Sequence, residues 1–381
     1  MHRMDCQSFI RSQSWQPDWF LQRRAPDFLH SQAVEDILLI KRASNFLWSN
    51  VPALDVINIT QNEGLTDQEH FNLLFAPSGD LRNVVKTFAD LPATSTNQIE
   101  VTLNDGMFVI VARNVIILLI ALLVEDVEEA IECIIHVWYS ALIRKSDMKI
   151  LQKVVLPEIQ EVCNIIEAEP NPEGSLHFRH LQVGKAHLMI DLPEELWFAL
   201  RDFVQIPKGL TAKRANAIRQ SVTLSRDNQD LNDRTRLYQS GGHRLAHARF
   251  REDGLLLPFG ARRDEFNQPN PTFFQNADSW PMSDNFGPLT EWPQKDVHET
   301  YSGPATADLY GKLYNYLRVM LRKFLRRITD HETCFRLFHM KKFDHFVKHM
   351  PTDWFDRIEI RLSRGTSSAV LYVWEYTNAQ H

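Results

Sequence analysis

The chain has 381 residues, which is long enough for two domains or for one α/β domain with large additions. Hydrophobic residues make up 44% and charged residues 24%, as is typical of a soluble globular protein. The 42 basic and 48 acidic residues give a net charge of -6, so no overall positive field favours nucleic acid or an anionic membrane. The four cysteines are widely scattered without a Cys-x-x-Cys pair, which excludes a zinc-finger module and indicates a reducing compartment.

The first segment of the chain, residues 1–45, mixes aromatic residues with arginines and prolines. We interpret it as an arm that packs on the body of the protein. Its start has no continuous apolar stretch and does not have the pattern of a secretory signal, so we expect a cytoplasmic protein. The spacing of apolar residues predicts a helix over residues 33–48, at the end of this arm.

A strand, a turn and a helix follow one another from residue 71 onward. Residues 71–76 are a short apolar stretch, which predicts a buried strand, and Gly79 follows in a Pro-Ser-Gly turn. Apolar residues then recur at helical spacing after Asp80, whose side chain is of a type that often caps helix N-termini. The sequence therefore predicts a helix that begins after Asp80 and is capped by it.

A second strand is predicted at residues 99–103, and it ends at Asn104 and Asp105. From residue 107 to residue 124 the pattern predicts a helix that is apolar on nearly every face. Two polar residues interrupt this helix and leave an apolar stretch too short to span a bilayer, so we expect it to be buried in the core. Because two strands joined by a crossover helix are almost always parallel, the predicted fold class is α/β with a parallel sheet.

Gly79 and Asp105 occupy the places at which a doubly wound sheet binds a nucleotide-type cofactor. A glycine after the first strand lets the backbone approach a ligand, and the helix N-terminus behind it favours negative groups. An acid at the end of the second strand, roughly 20 residues later, can accept hydrogen bonds from a ribose. This turn has one glycine instead of two or three. The alternative is that Gly79 only turns the chain and Asp105 only caps the next helix.

Amphipathic patterns predict two further helices, at residues 127–143 and 148–166, the second with an N-cap at Ser146-Asp147. Residues 187–190 are a candidate strand, and residues 193–204 predict a helix with proline in its first turn. We expect all of these elements to belong to the folded body.

The second half of the chain changes character twice. Residues 211–239 predict one long helix whose many charges balance, which indicates a solvated face and not a nucleic-acid surface. Residues 241–300 predict a long ordered loop, because their many aromatic side chains need burial. Such loops often bind ligands or partners. A helix at 309–328 and strands at 357–362 and 369–376 are expected to follow.

The sequences LLFAPSGDLRNVVKTFADLP and VTLNDGMFVIVARNVIILLIALL resemble the domain of unknown function 4470 family. The resemblance extends to PALDVINI, GLLLPFG, PNPTFF, WPMSDNFGPLTEW and YGKLYNYLR and covers about residues 45–360. This family is fungal and is often found beside a MYND zinc finger, which the scattered cysteines here do not match. Its domain also forms the N-terminal part of the dynein axonemal assembly factor 3 proteins.

The resemblance implies a Rossmann-like parallel sheet, similar to class I S-adenosylmethionine-dependent methyltransferases, and no established activity. Extra helices and a long aromatic loop would complete it. The family's glycine–aspartate turn and its asparagine–aspartate pair match Gly79, Asp80, Asn104 and Asp105. These four are the expected cofactor-binding residues, and S-adenosylmethionine is the cofactor to expect if one binds. After residue 360 the chain departs from the family pattern.

We divide the chain on this basis into an arm at 1–45, a Rossmann-like core at 46–166, and a C-terminal helical and loop region at 167–381 that completes the fold. The clearest linker candidate is the segment 167–174, which is rich in proline, glycine and acidic residues.

Two histidine pairs have a spacing that can place two imidazoles on one metal: His243 with His247, and His345 with His349. Neither pair has a third ligand nearby in the sequence, so we favour ordinary polar or interface histidines and expect no metal. The sequence Asn270-Pro271-Thr272 is faintly similar to the Asn-Pro-Pro-aromatic motif of amino methyltransferases. The favoured interpretation is a turn that anchors the two phenylalanines after it.

Two functions fit these features. The chain is either a non-catalytic Rossmann-like module that holds a protein partner, or a methyltransferase of unknown substrate. In the second, S-adenosylmethionine lies over Gly79, Asp105 binds the ribose, and the loop 266–292 closes over the substrate. Methyl transfer depends mainly on positioning, so the lack of an acid–base pair does not exclude it. We expect the first function, with a protein partner, no nucleic acid and no membrane, and we assign no catalytic residue.

Overall fold

The computed structural model describes the residues 15–29, 47–49, 51–59, 70–168, 175–282, 287–300, 308–340, 358–362 and 371–376. Its strands, in chain order, are β1 (His70–Ala76), β2 (Gln98–Asn104), β3 (Leu142–Arg144), β4 (Leu176–Val183), β5 (Ala186–Pro193), β6 (Phe266–Pro269), β7 (Thr333–Phe338), β8 (Ile358–Leu362) and β9 (Leu371–Tyr376). The predicted helix at 33–48 and the linker at 167–174 lie almost entirely outside the described residues, and His345 and His349 lie outside them completely.

Within the described part of the chain, one seven-stranded sheet has the order β4-β5-β7-β2-β1-β9-β8, and β3 pairs with β6 separately. The pairs β1–β2, β2–β7 and β5–β7 are parallel. The strands β4 and β9 run antiparallel to their neighbours. The chain therefore has a mixed α/β fold with a mostly parallel central sheet, and the predicted parallel pairing of the first two strands is confirmed.

The helices, in chain order, are α1 (Asp18–Leu21), α2 (Arg82–Asp90), α3 (Phe108–Leu123), α4 (Val127–Tyr139), α5 (Lys145–Ile150), α6 (Leu156–Ala168), α7 (Glu194–Asp202), α8 (Ala212–Thr223), α9 (Arg226–Arg236), α10 (Gly241–Asp253), α11 (Gln294–Glu299) and α12 (Leu309–Asp330). A π-helical stretch, Leu151–Val155, joins α5 to α6, and two short 3-10 turns lie at Asp27–Leu29 and Pro288–Glu291.

The apolar helix α3 is the centre of the core, and residues 110–122 of it are all buried. The prediction of a buried core helix is thus confirmed. No helix in the described ranges is long and apolar enough to cross a membrane. On the sheet itself, Phe88 of α2 stacks on Phe335 of β7 with ring centroids 5.8 Å apart, and Phe324 of α12 meets Phe88 edge-on at 5.6 Å. These aromatic contacts fix α2 and α12 against the middle of the sheet.

The predicted N-cap at Asp80 is wrong. Helix α2 begins at Arg82, and the residue at its N-cap position, Leu81, makes no side-chain capping bond. The Asp80 carboxylate instead accepts hydrogen bonds from Arg82 Nη1 at 2.5 Å and from Trp138 Nε1 at 3.3 Å. A charged guanidinium is a stronger donor than a backbone N–H, so it takes the carboxylate away from the helix end.

The single helix predicted at 127–143 is also wrong in its last turn, because α4 ends at Tyr139 and residues 142–144 form β3. Asn270 ends the helix by donating from Nδ2 to the carbonyl oxygens of Val137 at 3.0 Å and Ser140 at 2.8 Å. Ser146-Asp147 is not the next N-cap either. Helix α5 begins one residue earlier, and Asp147 reaches back to accept from the Arg144 nitrogen at 2.9 Å.

The charged stretch 211–239 forms two helices, α8 and α9, and not one. Its charges are not all solvated, because Arg219 and Asp230 are buried. Arg219 donates to the carbonyl oxygens of Arg251 and Glu252, and Asp230 binds Arg24. Buried charges of this kind require such partners, which the local sequence does not reveal.

The stretch 241–300 is only partly a loop, because its first thirteen residues form α10. Ser240 caps this helix by accepting from the His243 nitrogen at 3.4 Å. The expected burial of the loop aromatics is confirmed for Phe266, Phe273, Phe274 and Trp292. Trp280 is only half-buried, although it packs against the core, and Phe286 lies outside the described residues.

Candidate functional site

The candidate site lies where β1 and β2 end at the same edge of the sheet. Gly79 has a φ of +58°, in the left-handed region that favours glycine, and this bends the chain away from β1. The Ser78 nitrogen donates to the Asn104 carbonyl oxygen at 2.8 Å, and the Gly79 nitrogen donates to Asp105 Oδ2 at 3.0 Å. The turn after β1 is therefore bonded directly to the end of β2.

Asp105 is buried, with 6% of its surface exposed, and its carboxylate binds the protein backbone through both oxygens. While Oδ2 accepts from Gly79, Oδ1 accepts from the Met107 nitrogen at 2.8 Å, at the start of α3. Burial raises the pKa of the Asp105 carboxyl, and the two backbone hydrogen bonds oppose that rise by stabilising the charged form. The carboxylate thus ties the Gly79 turn to the first turn of α3.

Asn104 connects the end of β2 to the chain that follows β7. Its Oδ1 accepts from the Met340 nitrogen at 2.9 Å, and its Nδ2 donates to the Met340 carbonyl oxygen at 3.3 Å. Beside it, the His339 ring Nδ1 donates to the Asp105 carbonyl oxygen at 3.0 Å. Both gaps that flank β2 at this edge, toward β1 and toward β7, are therefore bridged by hydrogen bonds.

A second group of polar side chains lies behind the turn, around the ion pair of Asp80 and Arg82. Glu291 is fully buried beside it, and its Oε1 accepts from the Ser49 nitrogen at 2.6 Å. Burial, and secondarily the neighbouring Asp80 carboxyl, raises the pKa of Glu291 well above its usual range. Arg82 pairs with Asp80 directly, so we place the negative charge on Asp80 and a proton on Glu291.

The buried guanidinium of Arg113 lies on the same side of the turn. It donates to Thr272 Oγ1 at 2.5 Å and to the Trp138 carbonyl oxygen at 2.7 Å, and it lies 4.4 Å from the centre of the Phe273 ring. Burial lowers the pKa of Arg113 to about 10, which still leaves it charged at neutral pH. These bonds join α3 and α4 to the turn that begins at Asn270.

The segment 51–59 covers α2 next to this group. Asn83 Oδ1 accepts from the Leu54 nitrogen and Thr87 Oγ1 accepts from the Val56 nitrogen, both at 3.0 Å. The Ala53 nitrogen donates to the Glu291 carbonyl oxygen at 2.7 Å. The segment 51–59 is therefore held by hydrogen bonds along α2, the helix that follows the Gly79 turn.

All four predicted residues, Gly79, Asp80, Asn104 and Asp105, come together at this edge. Their role in cofactor binding stays a prediction. Sequence reasoning missed their partners, Asn114 and Glu291 among them. Asn114 Nδ2 donates to the Gly79 carbonyl oxygen at 2.8 Å. A polar pair within an otherwise apolar helix, as at 113–114, is the signal that could have found it, because buried polar groups need partners.

The other residues that the sequence singled out either stabilise the fold or lack the partners that a metal site needs. The turn predicted at Asn270 is confirmed: Thr272 donates to Asn270 Oδ1 at 3.1 Å, and the two phenylalanines after it are buried. His243 and His247 lie on α10. Among the described residues, no group of three or more histidine, cysteine, aspartate and glutamate side chains is placed to hold a metal ion.

The fold and this edge define a mixed α/β protein whose strand-end polar groups are bonded to other parts of the protein. Residues 47–143 match the family model described as Domain of unknown function (DUF4470), which confirms the resemblance over this segment. No curated protein and no solved structure matches the chain. The fungal source and the links to MYND fingers and to dynein axonemal assembly factor 3 stay predictions.

Proposed function

We propose that this chain is a non-catalytic Rossmann-like module that acts through protein interactions, in a cytoplasmic assembly. The observation that carries the proposal is the hydrogen bond from the Gly79 nitrogen to Asp105 Oδ2. A methyltransferase-like site would use this backbone nitrogen to approach the cofactor and this carboxylate to accept from the ribose. Here the two groups bind each other.

The surroundings of Asp105 support the same conclusion. Each of its oxygens already accepts from a backbone nitrogen, and only 6% of its surface is exposed, so a ribose hydroxyl has little access to the acceptor sites that remain. If the ribose displaced one of these bonds instead, the loss of the acceptor would cost about 1–3 kcal/mol, which would be subtracted from the affinity for the cofactor. The hydrogen bonds between Asn104 and Met340 likewise occupy the polar groups between the ends of β2 and β7.

Exposed aromatic side chains support the interaction part of the proposal. Phe178 on the edge strand β4 is 78% exposed, and Tyr238, after α9, is 91% exposed. Aromatic residues are the side chains that most often anchor protein interfaces. The aromatics of the 266–292 loop are less suited to this role, because Phe273, Phe274 and Trp292 belong to the core.

Calorimetric titration with S-adenosylmethionine and S-adenosylhomocysteine tests the proposal against the methyltransferase alternative. We expect no binding heat with either ligand at concentrations near a millimolar. Micromolar binding by the wild type that an Asp105→Ala variant loses while remaining folded would overturn the proposal and establish a cofactor site.

The interaction part has its own test. Quantitative co-purification compares the wild type with the Phe178→Ser and Tyr238→Ser variants, both of which alter only exposed side chains. We expect at least one variant to lose proteins that the wild type retains. Identical sets of co-purified proteins for all three chains would contradict a role of Phe178 and Tyr238 in binding a partner.

A further inference from the structure

The strand β4 is an edge strand of the seven-stranded sheet, because among the described strands it pairs with β5 alone. It pairs with β5 over eight consecutive residues without a bulge, and it contains neither proline nor lysine. Proteins protect exposed edges with short strands, bulges, prolines or lysines, because an unprotected edge is a template for pairing with another strand. The strand β4 has none of these four features.

The hydrogen bonds of the neighbouring strands determine which backbone groups of β4 face outward. The Thr333 nitrogen of β7 donates to the Lys185 carbonyl oxygen at 3.4 Å, so odd-numbered residues at β5 bond to β7 and even-numbered ones bond to β4. The even-numbered residues of β5 lie opposite odd-numbered residues of β4, as in the pair Ala186 and Val183. The even-numbered residues of β4 therefore direct their N–H and C=O groups to the open edge. They are Leu176, Phe178, His180 and Gln182.

The same four residues of β4 are exposed to solvent. Phe178 is 78% exposed and Leu176 is 41% exposed. No hydrogen bond joins their outward backbone groups to any other residue in the described ranges. When a strand is added to a sheet edge, the backbone supplies the hydrogen bonds and the side chains supply the specific contacts. This edge offers both at the same positions.

We propose that β4 pairs antiparallel with β4 of a second copy of this chain, about a two-fold axis at Phe178. In this register Phe178 lies opposite Phe178 of the second copy, and Leu176 lies opposite His180 of the second copy. The outward N–H and C=O groups of both strands then face one another and form an antiparallel ladder. The two seven-stranded sheets join into one continuous sheet.

The side chains of β4 select this register. Phe178 opposite Phe178 of the second copy forms a cross-strand aromatic pair and buries two largely exposed rings. A two-fold axis at Arg179 would place two arginines directly opposite each other, which destabilises strand pairing. An axis at His180 would place Phe178 opposite Gln182, so the aromatic pair would be lost.

The charges of β4 allow two copies to meet. Arg179 falls opposite His177 of the second copy, so no two arginines and no two carboxylates on the strands lie directly opposite each other. The Arg179 guanidinium is also balanced within its own copy by Glu158 at 2.6 Å and Glu161 at 2.8 Å. The strand is therefore complementary to itself, as a two-fold interface between identical subunits requires.

This inference rests on the interaction role proposed above for Phe178 and names the partner of that surface. The two can fail separately. Self-association is measured on the purified chain alone, whereas other protein partners are detected by co-purification.

Sedimentation equilibrium of the purified full chain tests for the second copy. We expect a monomer–dimer equilibrium between about 1 and 100 µM. Phe178→Lys should raise the dissociation constant of the dimer at least about tenfold, because the aromatic pair is lost and two like charges lie opposite each other. Tyr238→Lys is the matched control, because it introduces the same charge at an aromatic residue that is 91% exposed and lies outside the sheet. It should dimerise like the wild type.

The variant His180→Pro tests the backbone hydrogen bonds of the proposed ladder. Proline lacks the N–H group that faces outward at this position, so the dimer loses two hydrogen bonds while the pairing of β4 with β5 is kept. We expect the dissociation constant to rise at least about tenfold. The control is His180→Ala, which also loses the contact between the His180 and His187 rings but keeps the N–H group. It should dimerise like the wild type.

Disulfide formation under mild oxidation tests the register. Hydrogen-bonded residues opposite each other in an antiparallel pair have Cα atoms about 5.5 Å apart, a distance that a disulfide can bridge. Phe178→Cys should therefore form a covalent dimer. Gln182→Cys is the control on the same strand, because its two copies would lie about 26 Å apart at 3.3 Å per residue. It should form no more covalent dimer than the wild type.

Three results would overturn the proposal. One is a wild-type chain that stays monomeric at about 100 µM. A second is a dimer whose dissociation constant is the same for the wild type, Phe178→Lys and His180→Pro, which would place the interface elsewhere. The third is cross-linking of Gln182→Cys as fast as that of Phe178→Cys, which would contradict the register. A monomeric chain whose Phe178→Lys variant loses co-purified proteins would refute the second copy and leave the interaction proposal standing.

Discussion

The backbone nitrogen of Gly79 donates a hydrogen bond of 3.0 Å to Oδ2 of Asp105, 26 residues further along the chain. This bond joins the turn after β1 to the residue after β2. In a nucleotide-binding sheet these two positions face the ligand, whereas here they stabilise the protein's own backbone. The same pair of residues therefore stabilises the edge and leaves the buried Asp105 carboxylate with little access to a ligand.

Substitution of Asp105 by alanine should lower the free energy of unfolding by about 1–3 kcal/mol, because two part-buried backbone donors, Gly79 and Met107, lose their acceptor. Asp105→Asn should cost less, since one amide oxygen can still accept. Urea unfolding followed by circular dichroism measures both. The control is Asp264→Ala, which removes an exposed carboxylate from an ion pair with the exposed Arg262 and should change stability by less than about 0.5 kcal/mol.

An Asp105→Ala variant as stable as the wild type would show that the two hydrogen bonds contribute nothing net. The position would then have to be explained by binding, and not by folding.

Three glycines with positive φ provide a graded test of the Gly79 turn. An added Cβ at Gly79 would lie 3.6 Å from the nearest side-chain atom, and at Gly209 it would meet nothing within 4 Å. Gly79→Ala and Gly209→Ala should therefore both cost only the left-handed backbone strain, about 1 kcal/mol. At Gly254 the added Cβ would lie 2.6 Å from Arg219 Nε, so Gly254→Ala should cost more.

Arg219 cannot move aside cheaply, because it is buried and bonded to two backbone carbonyl oxygens. Calorimetric melting temperatures of the three glycine-to-alanine variants, each compared with the wild type, rank these costs in stability. A cost for Gly79→Ala well above that for Gly209→Ala would contradict the view that Gly79 is needed only for its backbone conformation.

The elements that sequence reasoning predicted are those whose signal is local. The strands β1 and β2 are short apolar stretches ended by turn residues, and α3 and α12 have long periodic patterns. Each of these patterns reports burial of the element itself. The edge at Gly79 could be located for the same reason, because it follows from the order of strand, turn and helix.

The partners of the site residues could not be predicted, because they come from distant parts of the chain. Asp80 interacts with Glu291, which belongs to a loop more than two hundred residues later, and no local pattern connects them. The balanced charges of the stretch 211–239 predict a solvated face for Asp230, whose partner Arg24 is 206 residues away. Side-chain chemistry indicates that a buried charge needs a partner, but only the fold identifies it.

The described part of the N-terminal arm, residues 15–29, is held on α9 by Asp230. Its carboxylate binds the Arg24 guanidinium through both oxygens, at 2.5 and 2.7 Å, and accepts from the Asp27 nitrogen at 2.8 Å. Asp230→Asn removes the charge from this arrangement, so we expect amide hydrogen exchange in residues 15–29 to become at least about tenfold faster.

Arg226→Gln is the control for this prediction, because Arg226 contacts Asp27 at 2.7 Å but is largely exposed. Exposed ion pairs contribute little, so exchange in the arm should stay close to that of the wild type. Unchanged exchange in the Asp230→Asn variant would show that other contacts of the arm hold it on α9.

The proton on Glu291 predicts a dependence of stability on pH. The pKa of Glu291 is raised by burial and by Asp80, so its proton stabilises the folded state fully below the unfolded pKa of about 4.3. That stabilisation is lost as the pH rises toward the folded pKa. Glutamine is neutral at every pH, can accept from Ser49 and can donate to Asp80. Glu291→Gln should therefore gain stability relative to the wild type as the pH rises, by up to about 1.4 kcal/mol per unit.

Denaturant unfolding at several pH values between about 5 and 8 measures this difference, within the window where the folded and unfolded states bind different numbers of protons. Glu299→Gln, a substitution at an exposed position, controls for the loss of a carboxylate and should follow the wild type across the range. Parallel curves for Glu291→Gln and the wild type would mean that Glu291 is ionised when folded. Arg82 and Arg113 would then have to balance the charges of two buried carboxylates. In that case Arg82→Met or Arg113→Met should lower the free energy of unfolding by much more than it would with a neutral Glu291, because a buried charge would lose its partner.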